Sequence, residues 1–184
     1  IVRADTNESY LWSSLIEQNG ETLIGTSHVD DKESAPVTSF TCQIAEVSVD
    51  AETGEVKLLK ITTAHDTGKI INPMGHQGQI NGGIQHGIGY ALMEELAIED
   101  GRVTTLSFAD YKIPTTADMP ELRTVILESD SGVGPYNIRG IGENPNAPTA
   151  AAIANAVDDA CGIRVVNLPV TAEKVYYALQ RSKA

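Results

Sequence analysis

A chain of 184 residues, 41% hydrophobic and 21% charged, is long enough to bury a proper core as one or two domains. Its formal net charge of -12, with no basic cluster among aromatics, excludes nucleic acid and an anionic membrane surface as partners. Cys42 and Cys161 are too few and too far apart for a zinc or iron–sulfur site, and they read as cytosolic thiols.

Residues 1–39 read as a weakly patterned lead-in. Asn7 to Gln18 predicts a short helix, closed by the turn signal Asn19-Gly20. The first residue is Ile1 rather than Met, which reads as a processed product, a proteolytic fragment or one piece of a larger chain. No signal peptide or spanning segment is present, so a cytoplasmic location is expected.

From residue 40 to 184 the pattern is that of a domain. Phe40 to Asp50 alternates as a half-buried strand, Ala51 to Gly54 turns, and Val56 to Thr63 returns as its hairpin partner. Asn72-Pro73 marks the start of a central helix. Asp100-Gly101 tips a small hairpin, and Leu122 to Glu128 is a strand. A loop with four glycines and three prolines fills residues 129–148. Two helices follow, Ala147 to Cys161 ended by Gly162, and Thr171 to Gln180 with Thr171 as N-cap and Glu173 in the first turn. Strands and helices mix without a repeating βαβ rhythm, which predicts an α+β fold.

The central helix is the most unusual stretch. No Asp, Glu, Lys or Arg lies between Lys69 and Glu94, while six glycines fall between Gly75 and Gly89. On a helix, Ile80, Ile84, Ile88, Ala91 and Leu92 share one face, and Gln79, Gly83, His86, Tyr90 and Met93 another. So little charge predicts a helix buried nearly all round. Two readings of Gly78, Gly82, Gly83 and Gly87 stay open: close packing of another element, or a helix N-terminal region meeting an anionic ligand.

The second focus is Gly140-Ile141-Gly142-Glu143-Asn144-Pro145, one carboxylate between glycines and a proline, just ahead of a helix. Glu143 so held suits a general base, or it stabilises the N-terminus of the helix that follows. Asp66 reads as the cap of its own turn. No Gly-x-Ser-x-Gly elbow, Walker motif or strand-to-Gly-x-Gly-x-x-Gly turn occurs, and His28, His65, His76 and His86 lack metal-ligand spacing.

The segments VSVDAETGEVKLLKITTAHDTGKIINP, GQINGGIQHGIGYALMEEL, FADYKIPT, GIGENPNAPTAAAIANAVDDACGIRV and LPVTAEKVYYAL, in this order, resemble the C-terminal part of the molybdopterin-binding subunit of molybdenum hydroxylases. That family comprises the xanthine dehydrogenase and aldehyde oxidase group. The resemblance implies mixed sheet hairpins with packed helices and a molybdopterin cofactor, in some members a dinucleotide. It implies that Gln79 lies against the cofactor with Gly78, Ile80 and Gly82 beside it, and that Glu143 is the catalytic base. The metal would be held by the cofactor's dithiolene rather than by protein ligands.

Electrons would leave through [2Fe-2S] clusters and FAD on an iron–sulfur subunit and a FAD subunit, or on further domains. An upstream molybdopterin-binding segment or subunit would complete the site around a small-molecule substrate. The chain departs from the family pattern at Asn81, where many members carry Glu, and at Asn144, where Pro often follows the Glu. The expected activity is hydroxylation of an electron-poor carbon in a purine or other N-heterocycle. Alternatives are an aldehyde, nicotinate or carbon monoxide oxidoreductase of the same family, or a non-catalytic assembly or binding domain.

Overall fold

A computed structural model describes residues 1–20, 24–28, 39–131 and 135–183. The chain divides into two compact units, Ile1–Ser34 and Ala35–Ala184.

In the first unit, helix α1 spans Trp12–Asn19 and buries none of its side chains. It begins later than its sequence suggests, because the first ten residues fold back on themselves. Val2 bridges Ser9, and the Tyr10 N–H donates to the Ile1 carbonyl at 2.8 Å. Gly20 ends α1 in the left-handed region at φ 69°, its N–H donating to Ile16 O. Residues 29–38, part of the expected lead-in, lie outside the described residues.

The second unit is built on a three-stranded sheet in the order β1-β2-β5. β1 (Phe40–Val49) and β2 (Val56–Asp66) form the expected antiparallel hairpin. β2 runs three residues beyond its predicted end. Ala64, His65 and Asp66 continue the ladder with β1 on one side and with β5 (Glu121–Leu127) on the other. β5 is parallel to β2, so the chain makes a single crossover that includes helix α2. β2 is therefore the central strand, and Ile61, Thr63 and His65 alternate along its fully buried face.

Helix α2 spans Pro73–Leu92. Asn72 caps it, its Oδ1 accepting from the Gly75 N–H at 3.0 Å, with Pro73 at the first helical position. Ile80, Ile84, Ile88 and Ala91 are buried against Ile61 of the sheet and against Ala150 and Ile153 of α3 (Thr149–Cys161). Each isoleucine so buried contributes about 1.5–3 kcal/mol. Burial nearly all round is not what forms: Gly78, Gln79, Asn81, Gly82 and His86 are exposed. Sheet and α3 cover only the isoleucine side, and neutral residues occupy the other.

A second cluster, with Val157, Ile163, Val170, Val175 and Leu179, seats α4 (Ala172–Lys183). Thr171 caps α4 as expected, its Oγ1 accepting from the Lys174 N–H at 3.3 Å. Gly162 ends α3 at φ 68°. The short pair β3 (Ile98–Glu99) and β4 (Arg102–Val103) turns through Asp100 and Gly101, both at positive φ, as a two-residue hairpin loop requires. The architecture is α+β, with one parallel crossover in an otherwise hairpin-built sheet.

Candidate active site

The loop that carries Glu143 is seated on α2 where that helix has no side chain. A Cβ on Gly83 would lie 2.9 Å from Pro145 Cβ and 3.2 Å from Asn146 N. One turn on, a Cβ on Gly87 would overlap the Thr149 side chain. These two glycines therefore serve close packing, one of the two readings the sequence left open.

Polar ties then hold three consecutive loop residues. His65 Nδ1 lies 3.0 Å from Asn144 Oδ1. Gln43 Nε2 donates to the Pro145 carbonyl at 2.8 Å, and Thr149 Oγ1 donates to the same oxygen at 3.0 Å. Tyr90 Oη donates to the Asn146 carbonyl at 2.8 Å. β1, β2, α2 and α3 each supply one anchor. Asn146 also closes the turn, its N–H donating to Glu143 O at 3.2 Å.

Glu143 itself is exposed, and it faces a cleft of about 350 Å³. Gly78, Gln79, Gly82, His86 and Asn146 line the same cleft. Glu143 does not serve the helix that follows. It stands six residues ahead of Thr149, and the N-cap Pro148 receives no side-chain bond. Among the described residues, no hydrogen bond or ion pair engages its carboxylate. A carboxylate on a backbone tied at the next three residues, itself unengaged, is placed to act on a molecule in the cleft.

On the opposite wall, a Cβ at Gly78 or Gly82 would meet nothing within 4 Å. The helix backbone is bare there. Gln79 stands between them, its Oε1 3.8 Å from where a Cβ would sit on Gly142. The two walls thus approach each other at Gln79 and Gly142. Ile80, expected beside Gln79 at the cofactor, is 0% exposed and belongs to the core. It lies on the helix face shared with Ile84 and Ile88, which packs against Ile61 and Ile153.

His86 and Asn146 line the cleft without having been singled out as candidates from sequence. His86 sits seven residues after Gln79, two turns along the same face, a spacing the sequence does display. Asn146 comes three residues after Glu143, but only the folded turn brings it to the cleft.

Two buried histidines underlie the site. His65 is 0% exposed, with Nε2 2.7 Å from Thr63 Oγ1, and its burial holds its pKa below the ordinary 6.5. His76, near the start of α2, has Nε2 2.8 Å from Thr67 Oγ1 and is depressed by burial as well. Asp66 accepts from the Gly68 N–H at 3.2 Å, capping its own turn, and from Ser129 Oγ at 2.8 Å.

The donor set fits a flat, neutral, hydrogen-bonding group such as a pterin. A bare stretch of helix backbone offers room, one glutamine amide offers a donor and an acceptor, and no lysine or arginine among the described residues lines the cleft.

Comparison with known proteins shows the family. Residues 2–120 match the molybdopterin cofactor-binding domain family. The chain is 35% identical over 161 residues to the putative xanthine dehydrogenase molybdenum-binding subunit of Escherichia coli K12, covering 86% of this chain and 21% of that protein. Among solved structures, quinoline 2-oxidoreductase from Pseudomonas putida 86 superposes with a TM-score of 0.70 at 37% identity, over 73% of this chain and 18% of that one. The aldehyde oxidoreductase of Desulfovibrio gigas gives 0.71 at 33% identity, over 77% and 15%. The chain thus spans about a fifth of the length of the curated relative it matches. It belongs to the molybdopterin cofactor-binding domain family, within the molybdenum hydroxylases.

Proposed function

We propose that this chain forms one wall of the active site of a xanthine dehydrogenase-like hydroxylase acting on a purine or other N-heterocycle. The cleft shared by Gln79 and Glu143 carries the reading, since an exposed amide and a carboxylate unengaged among the described residues meet there from two distant parts of the chain. When bound, the molybdenum cofactor supplies the two-electron acceptor for a hydroxylation whose oxygen comes from water. Gln79 would hydrogen-bond the pterin, and Gly78 and Gly82 would let it approach the helix backbone. Glu143 would take up the proton at its carboxylate as general base, a role worth about 10²–10⁴-fold in rate.

The upstream part of the molybdopterin domain would close the other side. Electrons would pass to [2Fe-2S] and FAD on partner subunits or domains, in the cytoplasm. No helix among the described residues is long and apolar enough to cross a membrane. A second reading, an aldehyde as substrate, is supported by the likeness to an aldehyde oxidoreductase at 33% identity.

The test is Glu143→Gln in the complete enzyme. Molybdenum content should stay level while turnover falls at least about 100-fold. Equal turnover would remove Glu143 from the mechanism. A purified parent complex without molybdenum would point to a binding domain instead.

A further inference from the structure

We infer that Asn144, held by buried His65 and Thr63, is a positioning residue that sets where the Glu143 carboxylate stands. The inference rests on the reading of Glu143 as the base.

Asn144 directly follows Glu143 but does not line the cleft. Its side chain turns inward, and its Oδ1 accepts from His65 Nδ1 at 3.0 Å. The other ring nitrogen, Nε2, then accepts from Thr63 Oγ1 at 2.7 Å. His65 and Thr63 are both 0% exposed and lie on β2, the strand with ladder partners on both sides. The row Thr63–His65–Asn144 thus links the residue beside the carboxylate to the central strand of the sheet.

Two features separate this tie from the rest. Gln43, Thr149 and Tyr90 bind the carbonyls of residues 145 and 146, which any sequence offers. Among these ties to residues 144–146, the bond to Asn144 is the one that requires a particular side chain in the loop, and it is the one next to Glu143. Stability alone is also a poor reason for it. A hydrogen bond of this kind contributes little net, while burying imidazole, hydroxyl and amide costs desolvation that an apolar residue at position 65 would avoid. What the polar row adds is direction, because a hydrogen bond fixes angle and distance where apolar packing leaves slack. A displacement of about 1 Å at a reacting group can cost roughly 100-fold in rate.

The experiment uses the full-length, cofactor-loaded enzyme. Asn144→Leu keeps the branched outline and the number of heavy atoms and removes the acceptor. Turnover per bound molybdenum should fall about 10–100-fold with KM and molybdenum content near wild type. Amide hydrogen exchange over residues 140–146 should quicken, while that of the α2 core around Ile84 stays unchanged. His65→Leu should match it, and the double variant should be no worse than either single one, because both cut the same bond. Should His65→Leu fail to assemble, Thr63→Val decides in its place, with a smaller loss in the same direction.

Unchanged turnover per molybdenum in Asn144→Leu overturns the inference, and so does activity that falls only in step with molybdenum content. Glu143→Gln is run alongside. If it is inactive while Asn144→Leu is normal, the base stands and the positioning role fails. If Glu143→Gln keeps full turnover, both fail.

Discussion

Two pairs of glycines on one helix face opposite requirements. Gly83 and Gly87 lie where α2 meets the Glu143 loop and α3, and a single methyl group at either would collide with Pro145 or Thr149. Gly78 and Gly82 lie on the side where a methyl would touch nothing among the described residues. The first pair is explained by the fold. The second is not, because glycine in an exposed helix costs about 1 kcal/mol relative to alanine with no packing return. A residue type that weakens the helix and serves no contact among the described residues is what the proposed approach of the pterin requires.

Substitutions that add one methyl at a time test this contrast. Gly87→Ala should destabilise the 184-residue chain by about 1–3 kcal/mol, through overlap with Thr149, and thermal melting would show it. A neutral result would mean that the α2–α3 contact yields and that Gly87 is not a packing glycine. Gly82→Ala should do the reverse, raising stability by about 1 kcal/mol in the same melt. In the complete enzyme the same substitution should lower molybdenum content, since the methyl would stand where the pterin is proposed to approach. Raised stability with undiminished cofactor would break the reading of the bare wall.

The smallest effect is expected from pH. His65 and His76 are both held below the ordinary histidine value of 6.5 by burial. Between the folded and unfolded values the unfolded chain binds more protons, so stability is full above 6.5 and declines as pH falls toward the folded values. Melting temperature should therefore drop between about pH 7 and pH 5, and by less in His65→Leu, whose buried ring is gone. The carboxylates with lowered pKa, such as Asp66 and Glu128, respond in a separate window at and below the ordinary carboxylate range. A melting temperature level across the histidine window would mean that both rings accept a proton without leaving their sites.

Much of the fold was legible because its signals are local. The Asn72-Pro73 cap, the Asp100-Gly101 turn, the alternation of β1 and the Gly162 stop each depend on the conformational preference of one or two residues, and each stands in the structure. The end of β2 was not legible, since Ala64, His65 and Asp66 carry no strand pattern and are extended by the ladders on both sides. The start of α1 was missed for a similar reason: the Val2–Ser9 bridge claims residues that would otherwise suit a helix.

At the site, the sequence by itself determined which residue types were available: a neutral, glycine-rich helix with one outward glutamine, and a glutamate between glycines. Tertiary structure alone decided which glycines pack and which stand open, that Ile80 turns into the core, and that Gln79 and Glu143 share one cleft. The physical reason is separation along the chain. A helix face follows from a repeat of 3.6 residues, but which side of that helix is covered depends on elements elsewhere in the chain, β2 before it and α3 well after it. Those elements are placed by burying isoleucines, a force without direction, and are then aligned by hydrogen bonds such as that between His65 and Asn144.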